Sequence, residues 1–490
     1  MTPYEELILK AFSKQLRGPV AAAVSGDRDS AHAPGQISKS LNRLLAQSKL
    51  AESQASQSRS LAKTVLSRID ATSCASDQWE PLINKLSDLI EEDEGDTTEI
   101  DRVLVQLSRT LAANGKSDHE VFDLLVSADA ERIHGLEEAY DRLCADEAAA
   151  SEAASTHGLT REQADSLVEQ LVTQCGESKD LKFGRTSVAV GGYSKLTIIA
   201  KLENASVLPA DMVIRLDRAE SPVGSTIALE YPLLTALRAH GLKVPRPLFA
   251  DLDGEITGGP MMITTREPGG IVADPHQFDI PIPAPTLGRS LAQELARIHS
   301  VPLDELPHSL RGLGQSNRDI AAADLDHLRE TWDAAGGCSI TVEAAFRWLR
   351  DHLDAIGERK TLVHGDCRFN NILVEGEEIS AVLDWELASV GNPAFDLGYT
   401  YHHASQLMPW QDFLQAYSAS GGAAVSENEI RYYALRTELF AVAYLAKLQA
   451  GIKAGAFENI DLIYAGTHVL QHNLHLLAMR LAAVINGEPL

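Results

Sequence analysis

Cysteine is scarce and scattered in this 490-residue chain: Cys74, Cys144, Cys175, Cys338 and Cys367 form no C-x-x-C pair. That spacing argues against a disulfide framework and a cysteine zinc site, and reduced thiols in a cytoplasmic protein are the expectation. Long apolar runs are also missing. No stretch of about 18 apolar residues occurs, so no transmembrane helix is expected. The opening M-T-P-Y-E-E-L-I-L-K has early acids and no apolar core of the kind a signal peptide needs. Positive charge is the third shortage. Lys and Arg number 43 against 69 Asp and Glu, a formal net charge of -26. Such a surface repels nucleic-acid phosphates and anionic membranes, so neither is expected as a partner. A nucleotide site in this chain would need its own local cations.

What is present supports a sizeable core, with 44% hydrophobic residues. The length predicts two or three domains. Residues 1–155 read as an all-α helical bundle: segments 4–16, 38–69, 79–92, 98–113 and 119–150 carry apolar residues at three- and four-residue spacing. Gly115-Lys116-Ser117 is similar to the end of a P-loop motif, but Thr110 stands where its first glycine belongs and no strand precedes it. A helix-ending glycine followed by a new N-cap is the simpler reading.

From about residue 181 the texture changes to short β-type runs, at 183–190, 195–201 and 211–216. The first two are joined by Gly191-Gly192-Tyr193-Ser194-Lys195. Small residues there let backbone N–H groups approach phosphates; by itself such a pair of glycines reads as a hairpin turn, and the phosphate reading draws its weight from position, with a basic strand and a helix following. Arg215 lies among apolar neighbours in the third run, and Glu230 lies near the start of an amphipathic helix over 226–240. The two are either an ordinary exposed pair or the strand cation and helix glutamate that kinases use beside ATP phosphates. Val244–Leu248, V-P-R-P-L, reads as a rigid extended connector. A strand over 260–265 then runs into Arg266-Glu267-Pro268-Gly269-Gly270. That places Thr265 and Arg266 at a hinge whose backbone would meet adenine.

Residues 361–400 concentrate the chemistry. Two apolar runs, 372–374 and 379–383, flank an acidic turn and predict a hairpin. His364-Gly365-Asp366 precedes the first run, Asn371 follows five residues after the aspartate, and Asp384 follows the second run. In kinase sites one Asp takes the proton of a substrate hydroxyl, while an Asn and a later Asp hold Mg²⁺ on ATP. Asp366 is the candidate base, with Asn371 and Asp384 as hard oxygen ligands. Arg368 is placed to neutralise a phosphate or an anionic substrate group. Glu386 would point to the side of Asp384 if the strand continued. Asp396 is expected to hold the catalytic loop through hydrogen bonds, and Cys367 is a poor nucleophile candidate for want of a His partner. The remaining segments, 286–300, 319–335, 342–357, 410–418, 427–452 and 461–485, read as helices. His468, His472 and His475 share one face of the last, but no further ligand accompanies them; packing, or a place on the cleft wall, fits better than a metal site.

The ordered set H-G-D-C-R-F-N-N-I-L, then V-L-D-W-E-L-A-S-V-G-N-P-A-F-D-L-G, resembles the aminoglycoside phosphotransferase family. It looks most like the branch found fused to some acyl-CoA dehydrogenases. G-G-Y-S-K-L-T, M-V-I-R-L and V-P-R-P-L fit the same branch, in which arginine is usual where many relatives have the lysine equivalent to Arg215. The resemblance covers residues 181–485. It implies an α+β, bilobal protein-kinase-like fold, with a small β-rich N-lobe at 176–267 and a mostly helical C-lobe at 268–490. It implies ATP and Mg²⁺ as cofactors and a small-molecule hydroxyl as acceptor. In that branch the acceptor would be a hydroxyacid or hydroxyacyl-CoA. An aminoglycoside acceptor, or a nucleotide-binding pseudokinase with a regulatory role, are the alternatives. The N-terminal bundle has no counterpart in the core family and is available for oligomerisation or protein contact.

Overall fold

The computed structural model describes residues 56–67, 80–91, 97–113, 125–127, 129–130, 133–134, 159, 161–188, 195–217, 226–271, 284–454, 456, 466 and 469–488. Gly191, Gly192 and Ser194, the helix expected at 4–16, residues 38–55 of the helix expected at 38–69, and the Gly115–Ser117 turn lie outside these residues. The chain forms two compact units. One comprises Met1–Glu152, Ala321–Asp354 and Leu435–Leu490; the other comprises Ala153–Ile320 and Ala355–Ala434.

In chain order the helices and strands begin with α1 (Glu80–Glu91), α2 (Thr97–Ala113) and α3 (Arg161–Cys175), followed by β1 (Lys182–Val188), β2 (Lys195–Glu203) and β3 (Asp211–Asp217). Helix α4 (Ile227–Ala239), β4 (Pro247–Asp251), β5 (Met261–Thr265), β6 (Gly270–Ile271) and α5 (Pro285–His299) follow. Next come α6 (Asn317–Ala334), α7 (Ile340–Asp351), β7 (Thr361–Val363), β8 (Ile372–Glu375), β9 (Glu378–Val382) and β10 (Ser389–Gly391). The chain ends with α8 (Ala394–Leu407), α9 (Trp410–Ala419), α10 (Glu427–Lys453) and α11 (Leu470–Asn486).

A five-stranded antiparallel sheet of order β1-β2-β3-β5-β4 forms the N-terminal part of the second unit. Its period-two pattern buries Ile198, Ala200 and Leu202 of β2 with Met212 and Ile214 of β3, against Leu167 and Leu171 of α3. Arg215 therefore projects from the opposite face of β3. The V-P-R-P-L segment is a connector that ends in the first two residues of β4, a strand the prolines conceal in sequence. Pro247 opens that strand at the sheet edge, where a missing N–H is tolerated. Helix α4 buries Ile227, Leu233, Leu234 and Leu237, and Glu230 falls on the same buried face. Its first N–H, that of Ile227, is capped by the Asp217 carboxylate at 3.1–3.2 Å.

The hairpin expected around Glu375–Glu378 is present as β8 and β9, and β6 pairs onto β8 as a third strand. A second small ladder, β7 with β10, ties the start of the catalytic stretch to its end. Lys243 Nζ donates to the Ile379 carbonyl at 2.6 Å, and the Val382 N–H donates to the Lys243 carbonyl at 2.7 Å. The connector after α4 is thus fastened to the hairpin. Helix α5 buries Leu287, Leu291, Leu295 and Ile298 and carries His299 into the interior at its end.

In the first unit, α7 is capped by the Ser339 hydroxyl. Glu343 on it accepts from Arg109 at 2.8 Å and Arg329 at 2.7 Å. Thr341 donates its backbone N–H and its hydroxyl to the buried Asp129 carboxylate. These ties, made by partners far apart in sequence, are why residues 321–354 associate with the N-terminal helices. Among the described residues no helix is long and apolar enough to cross a membrane.

Candidate active site

The loop between β7 and β8 is held from beneath. Asp396, fully buried near the start of α8, accepts the His364 N–H at 2.7 Å and the Gly365 N–H at 2.8 Å. It also meets His299 Nε2 at 3.0 Å, and His299 Nδ1 lies 2.7 Å from the Tyr417 hydroxyl. Burial opposes the charge of Asp396, but these hydrogen bonds and the histidines hold its pKa below the usual carboxylate value. The loop-anchoring role expected of Asp396 is therefore seen directly. Gly365 has φ +85°, and a Cβ there would sit 2.6 Å from the Leu387 carbonyl oxygen, so both conformation and space call for glycine.

His364 is used for shape. Its Nε2–H donates to the Leu383 carbonyl at 2.9 Å, and its Nδ1 accepts the Asp366 N–H at 3.1 Å. That pair of bonds fixes the orientation of the ring between the loop and the end of the hairpin. Asp366 is 5% exposed. The Asn371 amide nitrogen donates to the Asp366 carbonyl at 2.9 Å and to Oδ2 at 2.7 Å. The carbonyl oxygen of Asn371 is then the atom it can offer to a cation. Arg368 Nε lies 3.1 Å from Asp366 Oδ1, and the Tyr399 hydroxyl donates to the same oxygen.

Asp384 follows the hairpin in the left-handed region, at φ 64°. For a non-glycine residue this is a sparsely populated conformation of the kind concentrated at functional sites. It ends the strand, and Trp385–Leu387 form a 3-10 turn. Glu386 consequently does not share a strand face with Asp384; its carboxylate lies 3.8 Å from Lys195 Nζ. Asp384 accepts from Arg215 Nη2 at 3.0 Å, while Arg215 Nη1 pairs with Glu230. Burial works against the Arg215 charge, but Glu230 and Asp384 outweigh it and raise its pKa. Burial likewise pushes the Glu230 pKa upward against the pull of Arg215. One guanidinium thus joins the sheet, α4 and the loop after β9, and Arg215 and Glu230 form a buried pair rather than an exposed one.

The sequence-predicted residues fall into two linked groups: Asp366, Arg368 and Asn371 on one loop, and Arg215, Glu230 and Asp384 in one ion-paired cluster. Thr265 and Arg266 stand apart from both in the contacts described. The Thr265 hydroxyl accepts the Arg246 N–H at 2.8 Å and donates to Glu267, and Arg266 is exposed. Sequence reasoning passed over three residues. Lys195, 1% exposed, pairs with Asp217 at 3.0 Å. Its one signal was a lysine directly after the glycine turn. Tyr399 lies three residues beyond Asp396, a helical spacing that puts it on the same side of α8. His299 ends an amphipathic helix with a polar group on its buried stripe.

Cys367 is buried, and burial, reinforced by Asp396, pushes its thiol well above the ordinary value. His403 packs its ring against Phe369 at 4.7 Å, and burial, with His402 and Arg368 nearby, lowers its pKa to about 3. His475 stacks on His134 at 4.9 Å, a packing arrangement. Among the described residues no cluster of three or more His, Cys, Asp or Glu side chains is arranged to hold a metal. An Asn–Asp pair completed by phosphate oxygens lies outside that pattern and suits Mg²⁺, which keeps several waters and takes few protein ligands.

Residues 187–430 match the model of the phosphotransferase enzyme family. The chain is 32% identical over 221 residues to acyl-CoA dehydrogenase family member 10 of Mus musculus, covering 44% of this chain and 20% of that protein. It is 31% identical over 193 residues to family member 11 of Gallus gallus, covering 39% and 24%. The chain therefore spans about a fifth to a quarter of the length of these curated relatives. A solved structure from Ralstonia eutropha, provisionally named an aminoglycoside phosphotransferase, superposes with a TM-score of 0.51 at 17% identity, over 65% of this chain and 98% of that one. That likeness shows the fold, the kinase-like α+β architecture. Through residues 187–430, which contain every residue of the two linked groups, this chain belongs to the phosphotransferase enzyme family.

Proposed function

We propose that the chain is an ATP- and Mg²⁺-dependent phosphotransferase acting on a hydroxyl group of a small molecule that carries an anionic group, a hydroxyacid or hydroxyacyl-CoA. The observation that carries this reading is Arg215, tied at once to Glu230 and to Asp384. It supplies the local cation that an acidic protein needs beside nucleotide phosphates, in register with the residue suited to the metal. The backbone turn at Gly191, Gly192 and Ser194 would cover the phosphates, and Thr265 and Arg266 would border the adenine.

Mg²⁺ would be held by the Asn371 carbonyl oxygen and the Asp384 carboxylate, an all-oxygen donor set. When bound it supplies neutralising charge beside the phosphates. Asp366 orients the acceptor hydroxyl and takes its proton. Asn371 fixes that carboxylate, and Asp396 fixes the loop that carries both. Phosphoryl transfer asks for positioning and charge neutralisation more than covalent help, and these residues provide both. Arg368 is 44% exposed beside the base, and this favours an anionic acceptor. The acyl-CoA dehydrogenase family relatives favour a CoA-linked one.

Asp366→Asn should abolish phosphoryl transfer from Mg·ATP to pooled hydroxyacids and hydroxyacyl-CoA thioesters while leaving the Mg·ATP-induced rise in melting temperature nearly intact. Full turnover in the variant would overturn the base assignment. A preference for aminoglycosides over acids in the same pools would overturn the acceptor class.

A further inference from the structure

The Asp366 carboxylate is already surrounded. Oδ2 takes the Asn371 amide at 2.7 Å, and Oδ1 takes Arg368 Nε at 3.1 Å together with the hydroxyl of Tyr399. Oδ1 is therefore the oxygen not committed to Asn371, and a hydroxyl group is seated on it. That hydroxyl belongs to neither the catalytic loop nor the metal-suited cluster. It comes from α8, whose first turn is locked to the loop through Asp396, so Tyr399, one turn further on, is delivered to a fixed place. A phenol O–H donating to the base has the chemistry of the acceptor the base is meant to receive.

We propose that Tyr399 stands in for the acceptor hydroxyl on Asp366 and keeps water off the base until an acceptor displaces it. It is a determinant of specificity for alcohol over water. This rests on the reading of Asp366 as the base. In the productive reaction the acceptor oxygen bonds to the γ-phosphorus and the bond from that phosphorus to the β,γ-bridging oxygen breaks. ADP leaves with that electron pair, and the acceptor proton passes to Asp366. Water seated in the same place would undergo the same exchange and release inorganic phosphate. The Tyr399 hydroxyl occupies that seat without clearing a path for water.

The test needs no knowledge of the acceptor. Phosphate release from Mg·ATP by the full chain is measured without acceptor for wild type, Tyr399→Phe, Asp366→Asn and the double variant. Tyr399→Phe should release phosphate roughly tenfold faster than wild type or more, the scale set by losing one hydrogen bond to a charged group. The rise should vanish in the double variant. If Tyr399→Phe releases phosphate no faster than wild type, while Mg·ATP raises the melting temperature of both equally, the placeholder role is overturned and the base assignment stands. If the rise persists in the double variant, the assignment of Asp366 as base fails as well.

Discussion

Single residues in this protein are held by unusually complete sets of partners, and Glu177 shows what such a set is worth. Its carboxylate accepts the backbone N–H groups of Ser178, Ser206, Val207 and Leu208 and the Ser206 hydroxyl, pinning the turn between β2 and β3 to the segment after α3. Burial alone would raise its pKa; the four N–H donors instead lower it from 4.5 to about 2. A carboxylate depressed by folding stabilises the native state above its ordinary pKa and loses that contribution as pH falls. The window here runs from near 4.5 down to about 2. At neutral pH the linkage amounts to about 3 kcal/mol. Glu177→Gln should therefore cost roughly 2–3 kcal/mol in urea unfolding at pH 7. The gap between variant and wild type should close as the pH approaches the bottom of that window. A gap independent of pH would show that packing, not charge, holds the turn.

Elements meet at closer range than their side chains suggest. Gly398 of α8 faces α10, and a Cβ at that position would lie 2.6 Å from the Ala434 nitrogen and 3.0 Å from the Ile430 carbonyl oxygen. In an isolated helix alanine would gain about 1 kcal/mol over glycine. Against a neighbouring backbone the clash dominates, and Gly398→Ala should destabilise by roughly 1–3 kcal/mol. Thermal unfolding checks the sign. Because α8 also carries Asp396 and Tyr399, the same variant should lower turnover.

Elements also show what was legible in the sequence. The hairpin at β8 and β9 was readable because two apolar runs flank an acidic turn, and the ordered Asp366, Asn371 and Asp384 were readable because their spacing is local. Arg215 and Glu230 each stood out as a charge in an apolar run, but only the fold brings Asp384 to the same guanidinium. Strand β4 was hidden by Pro245 and Pro247, which read as a connector until the sheet edge is seen. Tyr399 was hidden because an aromatic residue on an amphipathic helix is ordinarily core, and nothing local says which atom its hydroxyl will meet.

At the scale of the molecule, the first unit draws on three separated stretches of chain. Within it α2 and α11 both pack on α7, and Glu343 is 7% exposed at the side chain with Arg109 and Arg329 as its partners. Removing residues 1–152 would leave Glu343 with one cation fewer and the Thr341 N–H and hydroxyl without Asp129. Partners stranded in this way typically cost 1–3 kcal/mol each. A chain beginning at residue 153 should melt several degrees below the full chain and bind a hydrophobic dye. An unchanged melting temperature would mean that α6 and α7 stand without the N-terminal helices.

The three-stretch construction of that unit has a consequence for how the protein is made. On the ribosome the N-terminal helices emerge first, with apolar positions such as Ile100, Val103 and Leu107 already in place. Their partners on α7 follow more than two hundred residues later, and α11 later still. At synthesis rates of about 5–20 residues per second, those faces wait tens of seconds for cover. The chain therefore has a built-in interval before α7 and α11 can complete the packing of this unit, set by the order of its segments rather than by the stability of its finished fold.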